Sequence, residues 1–192
     1  MLDVVWQSLE WPGLEHVLWS EAGGLNAKGE AVHLLPDGSV RLTYRVEATA
    51  GARPTVVEVE AESDATQSIR LIAAPDGTWS DASGEAMPAL DGCVDVDIST
   101  SPLTNTLPVR RLALAPGETA DIDAVYIDVP SLNVSVHAQR YTCLFIEDER
   151  SGYRYESGSF TADLVVDSRG LVIDYVGLWR RVPTATTAGA VQ

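Results

Sequence analysis

Apolar and polar residues alternate with a period of two along most of the chain, which is the pattern of half-buried β-strands. The clearest run is 39–47 (SVRLTYRVE), in which every second residue is apolar. Pro-Asp-Gly at 36–38 provides a turn to the run 30–35, so the two runs are predicted to form a hairpin. No segment keeps a helical period over three turns. The chain is therefore predicted to be all-β.

Turn residues recur every 8–12 positions and divide the chain into roughly a dozen strands, a spacing typical of a sandwich, roll or barrel. The further strand candidates are 56–62, 68–73, a short strand at Trp79, 93–99, 108–115, 120–129, 133–146, 153–156, 159–167 and 171–175. We expect one domain over residues 1–182. The tail 183–192 lacks large apolar residues and is expected to be disordered.

The net charge of the chain disfavours nucleic acid as a binding partner. Asp and Glu number 28 against 13 Lys and Arg, a net charge of −15, and such a surface repels the phosphates of nucleic acid. The first residues have neither a basic region nor an apolar run, and no stretch is long enough to span a membrane. We therefore expect a cytoplasmic protein. In that reducing compartment Cys93 and Cys143 are expected to be free thiols.

Candidate chemistry concentrates in residues 92–112, GCVDVDISTSPLTNTLPVRRL. Asp95 and Asp97 are two apart in a strand, so they share one face at about 7 Å from each other. Thr104-Asn105-Thr106 then adds hydroxyl and amide groups in a loop. The cluster admits three interpretations: a polar plug that fixes strand register, a patch that binds a sugar or phosphate head group, or a pair of glycosidase-type carboxylates.

The two arginines of this stretch are predicted to differ. In an extended run Arg110 shares a face with large apolar residues such as Leu112, whereas Arg111 lies on the other face. A guanidinium on a core-facing row needs a partner. We therefore expect Arg110 to be buried and paired with Asp95 or Asp97.

Two other sets of residues admit more than one interpretation. The early tryptophans would form core and edge packing or a platform on which sugar stacks; they are Trp6, Trp11 and Trp19. One face of the run 133–146 is polar and would be either solvated or a wet cavity wall; it carries Ser135, His137, Gln139 and Tyr141. The three histidines have no metal-binding spacing, so no metal and no cofactor are expected.

The run 92–112 resembles a bacterial family of unknown biochemistry that is named for glycolipid binding. Supporting similarities are WPGLE at 11–15, Gln-Arg-Tyr at 139–141, Tyr-Arg-Tyr at 153–155 and GLVIDY at 170–175. Together they cover about residues 10–182. The resemblance implies a long antiparallel sheet curled into a spiral roll, similar to the half-open β-roll of periplasmic lipoprotein carriers.

The resemblance also implies a ligand, a glycolipid or another amphipathic small molecule held without catalysis in the concave face of the sheet. The alternative is a small hydrolase that uses the paired carboxylates on a sugar-linked or lipid-like substrate. The candidate binding residues are Asp95, Asp97, Thr104, Asn105, Thr106, Arg110, Gln139, Tyr141 and Tyr153.

Overall fold

All strands in the described part of the chain belong to one sheet. The computed structural model describes residues 1–183, and strands account for 58% of them, as the period-two pattern predicts. The predicted disordered tail lies outside the described residues except for Pro183. The strands are β1 Leu2–Ser8, β2 Gly13–Ser20, β3 Leu25–Leu35, β4 Gly38–Ala48, β5 Pro54–Glu62, β6 Thr66–Ala73, β7 Trp79–Asp81, β8 Asp95–Ile98, β9 Thr119–Ile127, β10 Val134–Ile146, β11 Arg150–Ser157, β12 Phe160–Asp167, β13 Val172–Tyr175 and β14 Trp179–Arg181.

The sheet consists of two antiparallel meanders. Its order is β7-β6-β5-β4-β3-β2-β1-β14-β13-β12-β11-β10-β9-β8. The first meander, β1 to β7, joins the second meander, β9 to β14, where β1 pairs with β14. The chain leaves one edge at β7 and re-enters at the opposite edge with β8, which pairs in parallel with β9. The sheet is not closed into a barrel. Its long antiparallel form agrees with the expected fold class.

The connection from β8 to β9 contains the helical structure of this region. A 3-10 turn spans Pro102–Asn105 and helix α1 spans Thr106–Leu112. A further 3-10 turn, Pro88–Leu90, precedes β8. The strand predicted over 108–115 is therefore wrong, because most of that run is helical. We call residues 99–112 the inner segment.

The inner segment lies within the curl of the sheet. On one side Ser101 Oγ donates a hydrogen bond to Glu15 Oε1 of β2 at 2.6 Å. On the other side the hydroxyl of Tyr141 on β10 donates to Asn105 Oδ1 at 2.9 Å. Five strands separate β2 from β10 in the sheet, so one short segment contacts both only because the sheet curls around it.

The two faces of the sheet differ as the alternation predicts. Inward residues form a continuous core in which Trp6 and Trp19 are buried. Outward residues include oppositely charged partners that face each other across neighbouring strands; they are Arg41 with Glu62, Arg70 with Glu58, Arg140 with Asp121, Arg154 with Asp163 and Arg180 with Asp174. Cys93 and Cys143 are free thiols and both are buried. Within residues 1–183, no helix is long and apolar enough to cross a bilayer.

Candidate ligand-binding cleft

A cleft of 390 Å³ lies between β8 and the strands of the second meander. Asp97 lies on its wall, at the third position of β8, and we call it the Asp97 cleft. Its other polar lining residues include Ser99, Ser101, Asn105 and His137. The cleft thus combines part of the inner segment with the inner face of the sheet.

Neutral hydrogen-bond donors hold the Asp97 carboxylate in place. Gln139 Nε2 donates to Oδ2 at 2.7 Å, and Thr104 Oγ1 donates to Oδ1 at 3.2 Å. The hydroxyl of Tyr155 is 3.5 Å from Oδ2, a weaker contact. Burial raises the pKa of Asp97 above its ordinary value, and the bonds from Gln139 and Thr104 oppose that rise. The side chain therefore enters the cleft in a fixed orientation.

Aromatic rings form the rest of the wall. The rings of Tyr126 and His137 stack in parallel with centroids 3.9 Å apart. Tyr155 is central, with Tyr175 at 6.3 Å and the partly exposed Phe160 at 6.0 Å. Burial raises the pKa of the Tyr155 and Tyr175 hydroxyls, so both stay neutral hydrogen-bonding groups. With Trp179, which also lines the cleft, these rings offer flat apolar surface beside a carboxylate.

The second carboxylate of the strand, Asp95, forms a buried ion pair. Its oxygens accept hydrogen bonds from Arg111 Nε at 3.1 Å and from Arg111 Nη2 at 2.5 Å. The predicted pairing of Arg110 with Asp95 or Asp97 is therefore wrong. Because α1 is a helix, successive side chains diverge by about 100°. Arg110 Nη1 instead donates to Glu21 Oε1 at 2.8 Å and to the carbonyl of Arg169 at 2.9 Å.

A buried glutamate lies one hydrogen bond behind the cleft wall. Glu15 Oε1 accepts hydrogen bonds from Ser101 and from the hydroxyl of Tyr44, whereas Oε2 has no partner among the described residues. Tyr44 reaches Glu15 across Gly29, where a Cβ would meet the tyrosine ring at 2.0 Å. Burial raises the pKa of Glu15 to about 7, against the lowering effect of its two hydrogen bonds.

A groove of 870 Å³ adjoins the Asp97 cleft, and Glu10 and Ser99 line both. We call it the Trp11 groove. Its apolar residues include Trp11, Leu35 and Val129. Within residues 1–183, neither cavity is lined by Lys or Arg. The two cavities are therefore neighbours that share part of their lining, and the first is more aromatic and the second more aliphatic.

The structure brings together five of the nine candidate binding residues. Asp97 and Asn105 line the cleft, while Thr104, Gln139 and Tyr141 hold those two in place. Burial increases along the polar face of β10. Ser135 is exposed, His137 is half-buried, and Gln139 and Tyr141 are buried.

The other four candidates lie apart from the lining of the cleft: Asp95, Thr106, Arg110 and Tyr153. Thr106 is buried, and Tyr153 pairs with Cys143 in the β10–β11 register. Sequence reasoning missed the aromatic residues Tyr126, Phe160, Tyr175 and Trp179. Of the three early tryptophans, Trp11 borders the Trp11 groove, whereas Trp6 and Trp19 are buried in the core. The described residues contain no cluster of three or more side chains suited to a metal ion.

The fold and the cleft define a class of protein: an open, curled β-sheet with an aromatic, acidic depression beside its inner segment. The family model described as "Putative glycolipid-binding" matches residues 3–181, and the chain belongs to that family. The resemblance seen at residues 92–112 is thereby confirmed. A comparison with curated proteins finds no match.

A solved structure has a similar sequence and fold. The chain is 38% identical to a DUF1089 family protein from Pseudomonas aeruginosa, whose crystal structure was determined at 1.80 Å resolution. The TM-score is 0.81, and the similarity covers 88% of this chain and 92% of that chain. The fold is therefore shared over nearly the whole length.

Proposed function

We propose that the protein is a non-catalytic binding protein for a glycolipid. The sugar head group enters the Asp97 cleft and the acyl chain lies in the Trp11 groove. One observation carries this proposal: the polar, aromatic cleft and the partly apolar groove lie next to each other and share Glu10 and Ser99 in their linings. An amphipathic ligand needs this combination of surfaces side by side.

The cleft offers directional contacts for a head group. Asp97 accepts hydrogen bonds strongly because it is a carboxylate, and sugar hydroxyls are donors. Asn105 and Ser99 add further polar groups in the same wall. The rings of Tyr155 and Phe160 present apolar faces against which the C–H face of a sugar can pack.

The groove offers area for an alkyl chain. Trp11, Leu35 and Val129 provide apolar surface there, and each methylene buried against it contributes about 0.8 kcal/mol. Residues of the inner segment and the packed core occupy the interior of the curl. The chain of the ligand therefore lies along the open end of the sheet rather than through it.

The description of the family supports this proposal, since it names glycolipid binding. A hydrolase built on paired carboxylates would need both groups at the reacting bond. Asp97 lines the cleft, whereas Asp95 is held by Arg111 and does not. The geometry therefore favours binding over catalysis.

Isothermal titration with three ligands tests the proposal: octyl glucoside, free glucose and octanol. We expect octyl glucoside to bind more tightly than either part alone. Phe160→Ala removes a ring at the mouth of the cleft and should weaken that binding about three- to tenfold. Val176→Ala is the matched control, because Val176 is an exposed apolar residue that lines neither cavity.

Equal affinity for octyl glucoside and octanol would show that the cleft does not recognise the sugar. Failure of all three ligands to bind would contradict the proposal as a whole. Two related expectations stay predictions: that the protein resides in the cytoplasm, and that it does not bind nucleic acid.

A further inference from the structure

The two carboxylates of β8 differ in how their charge is balanced. Asp95 is neutralised by the guanidinium of Arg111 at 2.5 Å. Asp97 has only the neutral donors Gln139, Thr104 and Tyr155 around its oxygens. Among residues 1–183 it forms no ion pair with Lys or Arg. A partly buried carboxylate without a cation is costly, so its charge would be stabilised by a cationic ligand.

The walls around Asp97 suit a cation as well. Cations bind favourably over the faces of Tyr, Phe and Trp rings, most strongly where water is excluded. Phe160 and Tyr126 are the more accessible rings of the cleft wall, and Tyr155, Tyr175 and Trp179, which neighbouring residues largely cover, complete it. This arrangement of aromatic rings beside one carboxylate is typical of sites that bind ammonium groups.

The surroundings discriminate against anions. The Trp11 groove adds Asp37, Asp64 and Asp128 to the Glu10 that the two cavities share. Behind the wall, Glu15 bonds to Ser101 and leaves a second carboxyl oxygen without a partner. Among the described residues that line the two cavities, His137 is the one basic side chain. A phosphate or sulfate would therefore meet several carboxyl groups and no fixed positive charge.

We propose that the head group bound in the Asp97 cleft carries an ammonium group, placed against the Asp97 carboxylate and enclosed by the aromatic rings. This inference rests on the proposed function and names its ligand class: an amine-bearing glycolipid rather than a neutral or phosphorylated one. The sugar hydroxyls then contact the remaining polar groups, Ser99 and Asn105.

Titration of a matched ligand series tests the inference. The probes are octyl glucoside, octyl glucosaminide, its N-acetyl derivative, octyl glucoside 6-phosphate and octyltrimethylammonium. The measurements are made at about pH 7, where the amine of the glucosaminide is largely protonated and an ordinary imidazole is largely neutral. We expect the glucosaminide to bind at least about tenfold more tightly than octyl glucoside and its N-acetyl derivative. The phosphate should bind most weakly.

Asp97→Asn removes the charge but keeps the size of the side chain. It should weaken the binding of octyl glucoside as well, because an amide oxygen accepts hydrogen bonds less strongly than a carboxylate. The readout is therefore the ratio of the two affinities, and the preference for the amine should disappear. Asp163→Asn is the matched control, because that carboxylate pairs with Arg154 outside the two cavities. If Asp97→Asn fails to fold, the wild-type series alone decides the question.

The outcomes separate the two proposals. Equal affinity for the amine and the neutral glucoside would overturn this inference and leave the proposed function intact. Binding of no glycoside at all would overturn both. Octyltrimethylammonium that binds as tightly as the glucosaminide would show that the cleft recognises the cation and not the sugar, which supports the ammonium site but contradicts the glycolipid.

Discussion

Glu15 should make the stability of the protein depend on pH near neutrality. Its pKa is raised from 4.5 to about 7 by burial, so the folded protein binds a proton more tightly than the unfolded chain. A shift of about 2.5 pKa units corresponds to about 3 kcal/mol. Proton binding to Glu15 therefore stabilises the folded protein. This stabilisation is complete below the pKa of the unfolded chain, and it is lost as the pH rises through the folded pKa of about 7.

The measurement compares wild type with Glu15→Gln, which cannot titrate. Urea unfolding followed by tryptophan fluorescence gives the free energy of unfolding of both proteins at several pH values. As the pH falls from about 8.5 to about 5.5, wild type should gain about 2 kcal/mol over the variant. Using the difference between the two proteins removes the contribution of every other titrating group.

Glu60→Gln is the control, because Glu60 is exposed on the outer face of β5. The difference in free energy of unfolding between Glu60→Gln and wild type should not change with pH over the same range. A flat difference for Glu15→Gln as well would refute the reasoning, since it would mean that Glu15 is ionised in the folded protein at every pH tested.

Two further predictions concern the core. Arg111→Ala should lower the free energy of unfolding by about 3–5 kcal/mol, because it leaves Asp95 buried and unpaired. Arg110→Ala breaks a more exposed pair and should lower it by about 1 kcal/mol or less. Urea unfolding of both variants checks this prediction, and equal losses would contradict it. Cys93 and Cys143 should give two thiols per chain on titration in denaturant without reductant, and native alkylation should be slow because burial raises the pKa of both; fewer than two thiols would indicate oxidation.

The strands were predictable because a half-buried strand carries its own signal. Each long strand has one face on the core and one face in solvent, so its sequence alternates whatever its neighbours are. The hairpin of β3 and β4 follows from local turn chemistry in the same way. The resemblance supplied the curled form of the sheet, because alternation alone fits a sandwich, a roll or a barrel equally well.

Helix α1 was not predictable from periodicity. Its first residues, Thr106 to Val109, are all buried, because the helix lies within the curl of the sheet. A helix that is buried on several sides has no polar stripe, and seven residues are too few to establish a period of 3.6. With Pro108 and a β-branched residue in the run, a strand was the natural prediction, and the wrong arginine partner followed from it.

The Asp97 cleft was only half predictable for a different reason. Asp97, Thr104 and Asn105 are close in sequence, so their clustering is local. Tyr126, Tyr155 and Tyr175 come from β9, β11 and β13, and only the meander order brings their rings together. In the sequence each tyrosine has the pattern of an ordinary inward-facing residue of a strand. No sequence pattern therefore distinguishes a tyrosine that lines the cleft from one that packs in the core.

The distribution of basic residues explains why the cleft stays negative. Ten of the arginines form ion pairs; they are Arg41, Arg45, Arg70, Arg110, Arg111, Arg140, Arg150, Arg154, Arg180 and Arg181. None of the ten lines the Asp97 cleft or the Trp11 groove. With 28 acidic residues in the chain, many carboxylates are left without a cation.

The carboxylates that line the depression are among those without a cation, so local charge and net charge act in the same direction. A cleft with low-dielectric walls focuses such a field and raises the local concentration of cations. Salt screens the long-range part of this attraction, but it screens the contact at a partly buried carboxylate much less. The selectivity expected of the cleft therefore depends mainly on Asp97 and the surrounding rings, and the acidic surface contributes chiefly to the rate at which a cationic ligand arrives.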